Sequence, residues 1–132
     1  MARFEDGDPI LDSLIDIAKK EEIRAAIVYL VGGVTEATIV VGPDKEELPP
    51  NPVWRTLTES HEAAAMGTIF WEGSEPKVHI HGSFGKRDTV KVGCLREKAN
   101  TFLVLEAIIL EITGVKAVRE LDPKSNMVLL KL

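Results

Sequence analysis

The chain has 132 residues, the size of one ordinary domain, and 45% of them are hydrophobic, so it can bury a core without covalent cross-links. A net charge of −5 argues against coating nucleic acid, and one cysteine excludes an internal disulfide. The first residues lack the apolar core of a signal peptide, and no apolar run reaches the roughly 18 to 20 residues that span a bilayer. We therefore expect one cytoplasmic domain with no membrane segment.

An amphipathic helix is predicted near the N-terminus. Asp8 suits the N-cap position and Pro9 the first helical position. Apolar residues recur at helical spacing over residues 10–18. The pattern predicts a helix that ends near Glu21 or Glu22.

Two β-branched runs follow, over residues 24–31 and 36–41, and they are separated by Gly32 and Gly33. Paired glycines tolerate the positive φ angles of a tight turn, so these runs are predicted to form a hairpin. The proline-rich residues 42–53 are predicted to form a loop within the domain.

The rest of the chain favours β-structure. Strands are predicted over residues 54–59, 63–71, 77–84 and 89–92, and a closing hairpin over 115–120 and 127–131. Residues 101–112 are apolar at almost every position, which is typical of a strand buried between two layers. Glu106 interrupts that strand, and a buried carboxylate is expected to have a partner or a raised pKa. One helix and about eight strands predict an α+β fold with a mostly antiparallel sheet.

The chemically most specific motif is the pair His79 and His81, with Cys94 thirteen residues beyond. Side chains alternate along a strand, so both imidazoles are expected on one face. Imidazole nitrogen and thiolate sulfur are zinc ligands, so one hypothesis is a metal site. The alternative is a polar strand face that only contacts water.

The ordered set of motifs resembles the PPC domain, the plant and prokaryote conserved domain that follows AT-hook motifs in plants. The likeness runs from about Pro9 to Leu132, within a single domain over residues 1–132. The segments that carry it are residues 30–37 with the glycine pair, 67–69, 78–81 with the histidines, 92–95, 103–108 and 119–130.

This resemblance implies a homotrimer in which two strand histidines and a third histidine bind a metal ion. Here Cys94 stands where the family usually has histidine, and Thr68 replaces an asparagine. A thiolate is a competent zinc ligand, so the donor set is altered and not abolished. No Arg-Gly-Arg-Pro run is present, so DNA binding through an AT-hook is not implied.

The main functional hypothesis is a trimeric metal-binding module with a binding or regulatory role. Its ligands would be His79, His81 and Cys94, the ion zinc or a similar divalent transition metal, and Glu106 and Thr68 would lie beside the ligands. A small molecule would then be able to reach the ion, whereas direct DNA binding is not expected.

Two alternatives remain open. A metal-dependent enzyme would use an open zinc position, with Glu59, Glu62 or Glu106 as general base, although the sequence assigns no catalytic residue. A DNA-associated regulatory protein is the second alternative.

Overall fold

A computed structural model describes all 132 residues as one helix and ten strands. The elements are β1 (Ala2–Glu5), α1 (Ile10–Lys20), β2 (Ala25–Thr35), β3 (Ala37–Pro43), β4 (Pro52–Leu57), β5 (His61–Glu72), β6 (Glu75–Lys86), β7 (Thr89–Arg96), β8 (Asn100–Glu111), β9 (Val118–Asp122) and β10 (Met127–Lys131). This confirms the predicted α+β class. The helix is too short and too polar to cross a membrane.

Eight strands form one antiparallel sheet in the order β1-β8-β2-β5-β6-β7-β3-β4. Strands β9 and β10 form a separate two-stranded sheet, as the closing-hairpin prediction requires. The long strands β5 and β6 pair over their whole lengths, so their register is fixed by eleven residue pairs. These two strands form the centre on which the site is built.

The core lies on one face of the main sheet, where α1 packs. The helix buries Ile10, Leu14 and Ala18, which are spaced four residues apart and therefore share one side of the helix. Phe4 of β1 belongs to the same apolar cluster, so the core begins ahead of the helix. Asp8 does not cap α1, because its carboxylate accepts a hydrogen bond from the backbone N–H of Glu5 at 2.8 Å.

The glycine pair does not form the predicted hairpin turn. Strand β2 continues through Gly32 and Gly33, and β2 and β3 are not neighbours in the sheet. The chain only bends at Glu36, with φ +47°, and β3 continues in the same direction as β2, while the glycines lie at an irregularity in the β2–β8 pairing. A side chain at either glycine would collide with backbone atoms of β8. These glycines therefore permit close approach of two strands, a role that the local sequence pattern does not distinguish from a turn.

Within the single chain, strand β8 is buried on one face and open on the other. Leu105 and Ala107 are fully buried, whereas Phe102 and Leu110 on the other face are exposed. Glu106 is also exposed in the single chain. The chain itself therefore supplies a layer for only one of the two faces that the sequence predicts to be covered.

On the outer face, away from α1, the β9–β10 hairpin packs over β5. The alternation of β6 directs Ile80 and Phe84 into the core and His79 and His81 to the outer face. The histidine strand therefore borders the space beside the hairpin.

Gly67 of β5, directly opposite Ile80, offers a test of this packing. A Cβ atom there would lie 2.9 Å from the Ile80 Cα and closer still to the His79 carbonyl oxygen. Gly67→Ala should therefore lower the free energy of unfolding by about 1–3 kcal/mol, the usual cost of overpacking. Chemical denaturation measures the loss.

Gly85→Ala is the matched control, because its added Cβ would meet nothing nearer than 3.9 Å. Its effect should stay within about 0.5 kcal/mol. Equal stability of the two variants would contradict the close approach of β5 and β6 at Gly67.

Candidate metal centre

Strands β6 and β7 bring together the three residues that the sequence singled out. His81 and Cys94 are directly paired across the two strands, and His79 lies two residues before His81 on the same face. The potential ligand atoms of all three residues lie within 4.8 Å of one another. Cys94 is buried, His79 half-buried and His81 exposed, so the cluster is open to solvent on one side.

The two imidazoles face each other through their Nε2 atoms, which are 3.1 Å apart. The rings are nearly perpendicular, at 82°, with centroids separated by 4.9 Å. At this distance one Nε2–H donates to the other Nε2. Binding of one ion by both nitrogens requires two free lone pairs, so both rings would then carry their proton on Nδ1.

The donor set fits a tetrahedral transition-metal ion. Zinc binds imidazole nitrogen at roughly 2.0–2.1 Å and thiolate sulfur at about 2.3 Å, which places neighbouring ligand atoms about 3.3–3.6 Å apart. The observed separations are 3.1 Å for the two nitrogens and at most 4.8 Å for any pair. A difference of about 1 Å is of the size that side-chain rotation between staggered rotamers can produce.

Burial favours the neutral forms of His79 and Cys94. Desolvation lowers the pKa of His79 from 6.5 to about 4, and the positive charge of Arg119 adds to this effect. Desolvation also raises the pKa of the Cys94 thiol, although Arg96 and Arg119 partly oppose that shift. His79 is therefore ready to coordinate at neutral pH, whereas Cys94 must lose a proton when an ion binds.

A cleft of about 810 Å³ opens beside the cluster. One wall is formed by His79, His81 and Cys94 on the outer face of the sheet. The opposite walls are formed by the proline-rich loop after β3, by Trp54 of β4, by the turn of the β9–β10 hairpin and by the first residues of β10. Arg96 and Arg119 also line this space. The cluster thus borders a cavity of the size that small-molecule sites have.

Arg119 was not identified as a site residue from the sequence. It extends from β9 into the cleft, is only 8% exposed, and donates a hydrogen bond from Nη2 to Thr68 Oγ1 at 3.1 Å. Thr68 is paired with His79 across β5 and β6. Arg119 belongs to the closing segment of the family resemblance, and that was the only sequence signal for it.

The carboxylates considered as general bases lie elsewhere in this chain. Glu106 is exposed on β8, which β2 and β5 separate from the histidine strand. Glu59 forms an ion pair with Lys86, and Glu62 is exposed on β5. None of the three lines the cleft, and Glu72, the one carboxylate that does, is paired with Lys77 at 3.2 Å.

Comparison with known families supports the sequence resemblance. The sequence model of the Plants and Prokaryotes Conserved domain matches residues 1–113, which include every strand of the main sheet. The match ends before the β9–β10 hairpin. No curated protein matches the sequence.

Similar folds occur in several solved structures. A plant- and prokaryote-conserved protein of Pyrococcus horikoshii is 26% identical with a TM-score of 0.84, over 99% of this chain and 90% of that one. A metal-containing protein of Archaeoglobus fulgidus is 23% identical with a TM-score of 0.86, over 99% and 91% of the two chains. A Ralstonia eutropha protein, named as a candidate DNA-binding protein, is 22% identical with a TM-score of 0.81, over 98% and 88%. The similarities to the Archaeoglobus fulgidus and Ralstonia eutropha proteins show a shared fold alone.

The lowered pKa of His79 leads to a prediction for the metal-free protein. The unfolded chain takes up a proton on this residue below pH 6.5, whereas the folded chain does so only near pH 4. The free energy of unfolding should therefore fall as the pH is lowered through this window. Denaturant unfolding of chelator-treated protein at a series of pH values measures the slope.

His79→Gln should flatten the same slope, because glutamine does not titrate. Lowered carboxyl pKa values, such as that of Asp122, affect both proteins equally and cancel in the difference. Parallel curves for the two proteins would show that His79 is not the group responsible.

Proposed function

The chain belongs to the Plants and Prokaryotes Conserved domain family, and from that membership we propose that it is a metal-binding module with a binding or regulatory role. His79, His81 and Cys94 would hold one zinc-like divalent ion. The observation that carries the proposal is the convergence of three ligand atoms within 4.8 Å on paired strands. A metal-containing protein with a similar fold lends support.

The type of ion follows from the donors. Two imidazoles and one thiolate form a borderline-soft set, which suits zinc and excludes a preference for magnesium or calcium, whose ligands are oxygens. The buried Cys94 thiol becomes the charged ligand, and its negative charge offsets part of the charge of the ion. A lone thiol that serves as a ligand also suits a reducing compartment, so we place the protein in the cytoplasm.

Three protein ligands leave one position of a tetrahedral ion open, and here that position would face the cleft. When bound, the ion supplies a Lewis-acid centre to which a small molecule can attach. The cleft also favours a second candidate, an enzyme acting at the same ion. We favour binding over turnover, because Glu59, Glu62 and Glu106 all lie outside the cleft of this chain.

The metal proposal is tested by changing Cys94, the one proposed ligand in which this chain departs from the family pattern. Cys94→Ser should abolish most of the bound zinc, because a neutral hydroxyl is a poor ligand compared with a thiolate. Cys94→His should retain about one ion per chain. Elemental analysis after zinc loading and desalting measures the metal content.

Ser83→Ala is the control, since Ser83 lies on the same outer face of β6 and two residues from His81. It should bind as much zinc as the original protein. Full occupancy in Cys94→Ser, or no stoichiometric metal in the original protein, would refute the ligand assignment.

We also propose that the chain assembles as a homotrimer through the outer face of the main sheet. Apolar side chains are exposed there on the neighbouring strands β2 and β5 and on β7: Tyr29 at 38%, Val31 at 58%, Met66 at 58% and Val92 at 60%. His81 shares a shallow hollow of about 400 Å³ with them. Apolar patches of this kind usually mark interfaces, so the cluster would lie near a subunit boundary.

Assembly predicts a mass of three times the 14.5 kDa of one chain in light scattering at micromolar concentration. Val31→Asp should shift the protein towards monomer, because a buried unpaired carboxylate is costly. Leu132→Asp, at the 94% exposed C-terminal residue, should leave the mass unchanged. A monomer mass for the original protein would refute the assembly.

Direct binding to duplex DNA is not part of the proposal. With a net charge of −5 the chain lacks the excess of positive charge that phosphate contacts require, and Arg119 is buried in the cleft. The name of the Ralstonia eutropha protein belongs to a chain only 22% identical.

A further inference from the structure

The two arginines in the cleft have no anionic partner. All seven ion pairs of the chain involve other residues. Arg119 is 8% exposed, and its buried Nε atom has no hydrogen-bond partner. Hydrogen-bonding groups that are buried and unpaired are rare in native proteins and usually have a functional explanation. Arg119 therefore lies at a wall of the cleft, and its Nε–H donates no hydrogen bond within the chain.

The charges lining the cleft do not balance. Glu72 and Lys77 neutralise each other at 3.2 Å, which leaves Arg96 and Arg119 as a net positive pair. Burial lowers the pKa of Arg119, and the positive charge of Arg96 lowers it further. Two like charges that line one cleft are unfavourable unless an anion joins them.

The cleft combines these charges with apolar surface. Val40, Trp54, Met127 and four prolines contribute apolar surface to its walls. A largely apolar cavity with a few convergent polar groups is the usual form of a small-molecule site. Its dimensions, about 810 Å³, suit a ligand of several non-hydrogen atoms and not a polymer.

We propose that the cleft binds a small molecule with a carboxylate or phosphate group and an apolar body. The planar guanidinium groups of Arg119 and Arg96 match the oxygens of such a group. Thr68 orients Arg119 through its hydrogen bond to Nη2. This inference rests on the proposed function in one respect: an ion at His79, His81 and Cys94 would offer its open position to the same ligand and add positive charge beside it.

Two probes test the proposal. Inorganic phosphate presents a phosphate without an apolar group, and hexanoate presents a carboxylate with an apolar chain. Isothermal titration calorimetry should detect millimolar or tighter binding of at least one of them. Arg119→Gln should weaken that binding at least about tenfold, as expected when a charged hydrogen-bonding partner is removed. Stronger binding of hexanoate would identify a carboxylate with an apolar body as the ligand class, and stronger binding of phosphate a phosphate ester.

Control variants distinguish the loss of a positive charge in the cleft from the loss of folded structure. Arg3→Gln removes one equally positive charge from the far edge strand β1 and should change the affinity less than twofold. Arg96→Gln should weaken binding without removing the hydrogen bond between the hairpin and Thr68, so it remains informative if Arg119→Gln unfolds. Thermal unfolding of each variant verifies that the fold is retained.

Titrations of metal-free and zinc-loaded protein distinguish this inference from the proposed function. Arginine-dependent binding to metal-free protein would support the inference even if no zinc were bound. If zinc binds at the cluster and affinity is the same in the original protein, Arg96→Gln and folded Arg119→Gln, the inference is refuted and the metal module stands. Absence of binding by both probes at millimolar concentration refutes it equally.

Discussion

The register between β5, β6 and β7 is the constraint on which the site depends. Along a β-strand, odd- and even-numbered residues point to opposite faces of the sheet. A register shift of one residue would therefore move both histidines into the core. The pairing of His81 with Cys94 and of Thr68 with His79 fixes four site residues relative to one another. Burial of Ile80 and Phe84 on the opposite face opposes such a slip, because it would expose both side chains to water. Packing of the apolar core on one face of the sheet therefore fixes the positions of the polar residues on the opposite face.

Those parts of the fold that rest on short-range pattern could be predicted from the sequence. The alternation around His79 predicts two outward imidazoles, and the β-branched runs predict most strands. The hairpin proposed at Gly32 and Gly33 was wrong, because glycine pairs serve both tight turns and close strand contacts, and only the partner strand distinguishes them. The exposure of Glu106 in the single chain illustrates a related limit. An apolar sequence shows that a strand can be covered on both faces, but not whether another layer of the same chain covers it.

The arginines illustrate a different limit. Arg119 is separated by twenty-five residues from Cys94, and it enters the cleft only because the β9–β10 hairpin folds back over β5. Arg96 lies two residues after Cys94, in a segment whose lysine and arginine content indicates a basic, solvated turn. Tertiary packing brings both arginines to the same cleft, and neither their spacing in the sequence nor the composition of the chain predicts this. The positive character of the cleft is therefore visible only in three dimensions, against a net negative chain.

The β9–β10 hairpin is joined to the rest of the protein by few polar links, of which the hydrogen bond from Arg119 to Thr68 is the one that reaches the site. The family match ends at residue 113, whereas the similar solved structures align with 98–99% of the chain and so include the hairpin. The donors of the cluster lie on the main sheet, and the hairpin contributes Arg119 and part of the cleft wall. Substitutions in the hairpin would therefore change the wall that faces a ligand while the strands that carry the donors stay unchanged.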